Sequence, residues 1–180
     1  MFSSITSFFK KNPIYGFALK GIFVYVVWYI FYDLWILPDG RVDEALSLNI
    51  IDVSAGILTL MGFDVFTAFR VIGIDIAPGI EIVNGCNGLA AIGLFLGFIF
   101  AYPGDNKKRW VFMITGMGVI YLVNVLRIVL LVITQVYWNQ FFTFTHDYST
   151  TAIFYIVIFI MWVIWANYGS EDLYERIESV

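Results

Sequence analysis

Long apolar runs occupy 17–37, 89–102, 110–138 and 150–168, each bounded by polar or helix-breaking residues. A helix of about 20 apolar residues crosses the hydrocarbon core of a bilayer, and these runs predict about four transmembrane helices. The first run carries Lys20 and Asp33 near its two ends, where their side chains can reach headgroups. It is too long for a signal-peptide core and no A-x-A-like cleavage site follows it, so it is expected to be a retained span. A fifth apolar stretch, 45–63, is interrupted by Asn49, Asp52, Ser54 and Gly56. In it Leu46, Ile50, Val53, Ile57 and Met61 follow helical spacing, which suits a span or an amphipathic helix in the membrane interface. Between 68 and 84 the period changes to two: Val71, Ile74, Ile76, Ile80 and Ile82 interleave with Arg70, Asp75 and Glu81 around Ala77-Pro78-Gly79. This pattern predicts a β-hairpin. An open sheet edge cannot face lipid, so the hairpin belongs outside the hydrocarbon. Pro13, Pro38, Pro78 and Pro103 all fall at predicted breaks.

Composition strengthens the membrane reading. Hydrophobic residues make up 61% of the 180-residue chain and charged residues 13%, against about 25% charged in soluble domains. The length fits one integral membrane domain, 1–180. Basic residues gather in short loops. That is an orientation signal, not a nucleic-acid surface.

Lysine and arginine in short loops mark the cytoplasmic side. Lys10 and Lys11 place the N-terminus, 1–16, inside, and Lys107, Lys108 and Arg109 place their loop inside as well. An even number of spans must separate the two. The run 17–37 and the run 89–102 supply them, so 45–63 is expected to lie in the outer interface or to be re-entrant. The fold expected is therefore an all-α membrane bundle with an interfacial or re-entrant helix and a small extracytoplasmic β-hairpin. The segment 38–85 is then extracytoplasmic or interfacial, and the acidic tail, 169–180, is cytoplasmic.

Three rare residues fall at one depth in this arrangement. Cys86 is the single cysteine, so no intrachain disulfide can form, and it stands where hairpin gives way to helix. Helix N-termini attract negative charge, and a thiolate is the nucleophilic form of cysteine. Gly85 and Gly88 leave room for a substrate backbone. Arg127 lies in the outer part of its span, about 10 Å short of the helix end near Gln135. Arginine inside a span needs an anionic partner: a thiolate, an oxyanion, a substrate carboxylate or Glu81. Asn124 precedes it by one helical turn and can orient a substrate carbonyl or the guanidinium. His146, the single histidine, stands just before the last span and is suited to move protons. Each has a plainer reading alone: an inert buried thiol, a wetted imidazole, a structural ion pair with Asp33 or Glu81. Their convergence on one membrane face favours an acyl-transfer site that works through a thioester. No cysteine or histidine cluster has zinc-ligand spacing, and neither metal nor cofactor is expected.

The chain resembles the exosortase/archaeosortase family of membrane transpeptidases. The resemblance rests on Glu81-x4-Cys86-Asn87-Gly88, on Asn124-Val125-Leu126-Arg127 and on His146 opening the last span, and it covers about 81–165. The family's catalytic trio is Cys, Arg and His in this order. Asn87 stands where the family commonly has serine, and the short chain is similar to the F-type exosortases rather than to forms with more spans. The resemblance implies a membrane cysteine peptidase that cleaves the C-terminal sorting signal of secreted proteins and passes them to an acceptor nucleophile. It implies Cys86, Arg127 and His146 as catalytic, with Asn124, Glu81 and Asn87 binding or orienting substrate. The location expected is the inner or cytoplasmic membrane, multi-pass, with the site facing the extracytoplasmic side. Two other readings remain: an intramembrane thiol hydrolase that only cleaves, and a non-enzymatic membrane transport or assembly protein that uses Arg127 to bind anions.

Overall fold

Proline at position 13, whose missing N–H costs nothing in a first helical turn, opens helix α1 (Pro13–Trp28). The structure is a computed structural model and describes residues 13–75, 77–145 and 150–169. Beyond α1 the same rod widens into a π-helix, Tyr29–Ile36, and closes with the α-turn Leu37–Asp39. Gly40, at φ +71°, ends it in the left-handed conformation that glycine alone adopts freely. Helix α2 (Arg41–Leu60) follows at once. Three short strands come next: β1 (Val65–Ala68), β2 (Val71–Ile74) and β3 (Ile80–Glu81). Then come α3 (Leu89–Ala101), α4 (Asn106–Tyr137), α5 (Asn139–Phe144) and α6 (Thr150–Tyr168). The Asp105 carboxylate caps α4 by accepting from the Lys107 and Lys108 backbone N–H groups.

The expected hairpin around Pro78-Gly79 is present as the antiparallel pair β2–β3, with Ile72 opposite Ile80. The sequence reading missed β1, which pairs antiparallel with β2 from Val65–Ile74 to Ala68–Val71 and makes a three-stranded sheet. Its two-residue turn is Phe69-Arg70, with Phe69 at φ +51°. That conformation normally belongs to Asn or Gly, so no turn signal marks it. The buried face of α2 also differs from the expected one. The buried positions are Asp43, Ser47, Ile50, Ile51, Ser54 and Leu58, whereas Val53 and Met61 are exposed. Polar side chains point inward because the protein supplies their partners. Ser54 Oγ donates to the Val125 carbonyl (3.5 Å), and Arg70 Nη2 donates to Ser47 Oγ (3.0 Å).

Two apolar cores result. One is aliphatic: Ile50, Ile51 and Leu58 of α2, Ile72, Ile74, Ile80 and Ile82 of the sheet region, and Val125 to Val132 of α4. The other is aromatic-rich and joins α3, α4 and α6 through Phe95, Ile99, Ile120, Phe154, Ile158, Met161 and Trp165. Contacts between α2 and α4 rise together in number: Asn49 with Tyr121, Ser54 with Val125, Phe63 with Tyr137. The two helices therefore run parallel, and α2 and the sheet cap the end of α4 away from Lys107. Among the described residues, Tyr15–Asp39 and Asn106–Tyr137 are long and apolar enough to cross a membrane, while Leu89–Ala101 and Ala152–Tyr168 are apolar but shorter. The count of four spans is thus carried only in part by helix length. Helix α2 has 20 residues but is not apolar enough to join the candidate spans.

Candidate active site

Cys86 stands in the turn between β3 and α3, ahead of the first helical residue, Leu89. The turn is closed by the Cys86 N–H donating to the Val83 carbonyl (3.0 Å). Gly85 (φ +83°) and Gly88 (φ +85°) bracket it in left-handed conformations. Both positions need glycine for that backbone geometry, since a Cβ on Gly85 would meet nothing and one on Gly88 would rest 3.6 Å from Asn124. Cys86 is free and partly buried, and it packs against the aliphatic core.

A cavity of about 410 Å³ opens beside this turn, lined by Gly85, Cys86, Gly88, Arg127, Phe154 and Tyr155 among others. Cys86 and Arg127, 41 positions apart in sequence, both line this one chamber. Arg127 Nη1 donates to the Cys86 carbonyl at 3.5 Å, a long contact. The guanidinium also lies 5.8 Å from the centre of the Phe154 ring, within cation–π range. Its Nε is buried with no hydrogen-bond partner, and no carboxylate pairs with Arg127 among the described residues. The alternative of a structural ion pair with Asp33 or Glu81 is thus absent there. An arginine with an unpaired buried N–H, lining the same cavity as a cysteine, is equipped to receive an oxyanion.

The other expected site residues distribute as follows. Asn124 is fully buried against Gly88, does not line the cavity, and has no hydrogen-bond partner for either amide atom. Asn87 is buried too; its oxygen accepts from the Leu89 N–H (3.1 Å) and its nitrogen donates to Asp43. Glu81 is exposed on β3, opposite Val71, and is not part of the cavity lining. His146 lies outside the described residues.

Sequence reasoning missed Asp43 and Tyr32. Asp43 lies in the polar stretch between two apolar runs, yet it is fully buried on α2. The available signal was its place on one helical stripe with Ser47 and Ser54. Its Oδ1 accepts from Asn87 Nδ2 (2.8 Å), the Gly85 N–H (3.2 Å) and, at 3.4 Å, the hydroxyl of Tyr32 on the π-helix. A second, larger cavity of about 480 Å³ runs between the α1 rod and α3 and shares Ala90 and Leu94 with the Cys86 chamber. It is mainly apolar, with Trp28, Gly93 and Gly97 along it and Asp33 as its acidic residue.

The profile of one protein family, described as transmembrane exosortase, matches residues 10–163. The chain is also 26% identical over 154 residues to a protein of Methanocaldococcus jannaschii described as probable archaeosortase D, covering 85% of this chain and 89% of that one. No solved structure matches the chain.

Proposed function

Because the chain belongs to the transmembrane exosortase family, we propose that this membrane protein is a cysteine transpeptidase acting on the C-terminal sorting signal of secreted proteins. The observation that carries this reading is the chamber lined by both Cys86 and Arg127.

The chemistry proceeds in two halves. The Cys86 thiolate attacks the carbonyl of the scissile peptide bond, and Arg127 receives the negative charge that builds on the carbonyl oxygen. Collapse of the tetrahedral species breaks the C–N bond, and His146 gives its proton to the leaving amine. The acyl group remains on sulfur as a thioester. An acceptor nucleophile, deprotonated by His146, then attacks the thioester carbonyl and frees the thiol. Glu81 acts at the rim as a substrate contact, and Asn124 and Asn87 hold the ground on which Gly88 and Cys86 sit.

Placement in the inner or cytoplasmic membrane follows from charge and length. Helix α4 is 32 residues long, about 48 Å at 1.5 Å per residue. Its Lys107, Lys108 and Arg109 end is cytoplasmic by the positive-inside rule. Arg127 is then about 30 Å away, at the outer edge of the hydrocarbon, with the sheet beyond it in the extracytoplasmic interface and α2 beside α4 from the level of Tyr121 outward. The apolar channel between the α1 rod and α3 would receive the helix of the sorting signal, and its shared wall with the chamber brings the scissile bond to the sulfur.

The test is Cys86→Ala in membranes that co-express candidate secreted proteins. Wild type accumulates a covalent protein adduct on Cys86 that hydroxylamine releases, and the variant processes nothing. Normal processing by Cys86→Ala sinks the proposal. Mass analysis of the new C-terminus separates transfer, which leaves a conjugate, from cleavage alone, which leaves a free acid.

A further inference from the structure

A carboxylate buried without a cation is costly. Asp43 is such a group: it is fully buried, and no cationic side chain pairs with it among the described residues. The fold satisfies one of its oxygens and leaves the other, Oδ2, without a hydrogen bond. The satisfied oxygen is spent on residues flanking the cysteine. Oδ1 accepts from the backbone N–H of Gly85 (3.2 Å) and from Asn87 Nδ2 (2.8 Å), so it grips the turn on both sides of Cys86. The Asp43 backbone carbonyl takes a second bond from Asn87 Nδ2 (3.2 Å). Donors on both sides of Cys86 converging on one carboxyl oxygen fix the turn at two points. From the opposite side Arg127 reaches the Cys86 carbonyl. Three consecutive residues, Gly85, Cys86 and Asn87, are each tied to Asp43 or Arg127 on another helix.

We propose that Asp43 is a positioning residue for Cys86: its carboxylate clamps the Gly85–Asn87 turn so that the sulfur faces the chamber shared with Arg127. Asp43 touches no reacting atom. It acts through the turn, by denying the nucleophile the freedom to swing away. The inference rests on Cys86 being the nucleophile, and its test is built to be read separately from that premise.

The chain has one cysteine, so alkylation by iodoacetamide reports on Cys86 alone and needs no substrate. The experiment uses the full chain in membranes and a reciprocal exchange. Asn87→Asp sets two carboxylates against each other and opens the clamp. Asp43→Asn in the same chain restores a donor–acceptor pair with the polarity reversed. Asn87→Asp alone is expected to raise the alkylation rate about tenfold, because the freed turn exposes the sulfur, and to lower signal processing about 100-fold, the scale of an ångström-sized misplacement. The double variant is expected to return both readings to within about threefold of wild type. A residue that merely supports the fold would lower the thermal midpoint in step with processing, whereas the clamp predicts that labelling and processing change while the midpoint of Asn87→Asp stays near that of wild type. Where Asn87→Asp fails to accumulate, accumulation and near-normal labelling of the double variant support the clamp. A double variant no better than the single one, or an Asn87→Asp protein with wild-type labelling, overturns it. Processing that survives Cys86→Ala removes the proposed function but leaves the labelling result to decide the clamp.

Discussion

Before Asn124, helix α4 packs Gly116 and Ile120 among Phe95, Phe154 and Trp165; after it, Val125, Ile128, Val129 and Val132 pack among the isoleucines of α2 and the sheet. The first half relies on rings lying close over glycine. A side-chain carbon on Gly116 would collide with Phe95, and one on Gly93 would collide with Trp28. The second half is aliphatic and interleaved with hydrogen bonds from Ser54, Gln135 and Arg70. The contrast fits two solvents. In lipid, burying an apolar surface gains little, and helices associate through close packing at small residues. In water, burial itself is the driving force. The Cys86 chamber lies on the seam: Cys86 packs with the aliphatic core, and Phe154 and Ile158 of the chamber wall belong to the aromatic one.

The largest expected effect is at the seam. Arg127→Leu should lower turnover about 1,000-fold, the scale of losing an oxyanion donor, and Arg127→Lys should recover only part, since a lysine lacks the planar fork of donors. Single-turnover kinetics on a signal-bearing protein would measure it, and wild-type rates would argue against oxyanion contact. Next comes a matched pair of truncations. Ile72→Ala, in the cap, should cost about 3 kcal/mol through lost burial and a new cavity. Ile158→Ala, in the bundle, should cost about half of that, because packing is lost but no transfer from water. Thermal unfolding in one detergent compares them, and equal losses would erase the distinction between the halves. The smallest effect is expected at Leu60, 89% exposed at the end of α2. Leu60→Gln should change stability by no more than about 0.5 kcal/mol. Failure of that variant to insert would put the end of α2 in hydrocarbon.

Much of the bundle was legible because long apolar runs and prolines leave few alternatives. The runs 89–102 and 150–168 lie within a residue of α3 and α6, and Pro38 and Pro103 mark ends that the structure keeps. What stayed hidden depends on partners distant in sequence. The apolar positions of α2 at Val53 and Met61 look outward, because the inner face carries Asp43, Ser47 and Ser54 toward donors and acceptors 23 to 71 positions away. Strand β1 is turned by Phe69, a residue that announces no turn. At the site, the single cysteine and the arginine inside an apolar run stood out in the sequence, and both line one cavity. The same reasoning could not find Asp43, since acidic residues are common and only burial sets this one apart.

The π-helical stretch Tyr29–Ile36 has a mechanical consequence. Its wider winding sets the angular phase of the residues along it, including the Tyr32 hydroxyl that reaches Asp43 and the Asp33 side chain that lines the apolar channel. Each residue of an α-helix turns the rod by about 100°. Deleting a single residue from this stretch would let it tighten toward ordinary pitch; the lost residue and the tighter winding turn the far end in opposite senses, so the net rotation is well short of that angle, like a gear slipping part of a tooth. The rod could keep its length across the bilayer and still disengage from the turn it helps to hold.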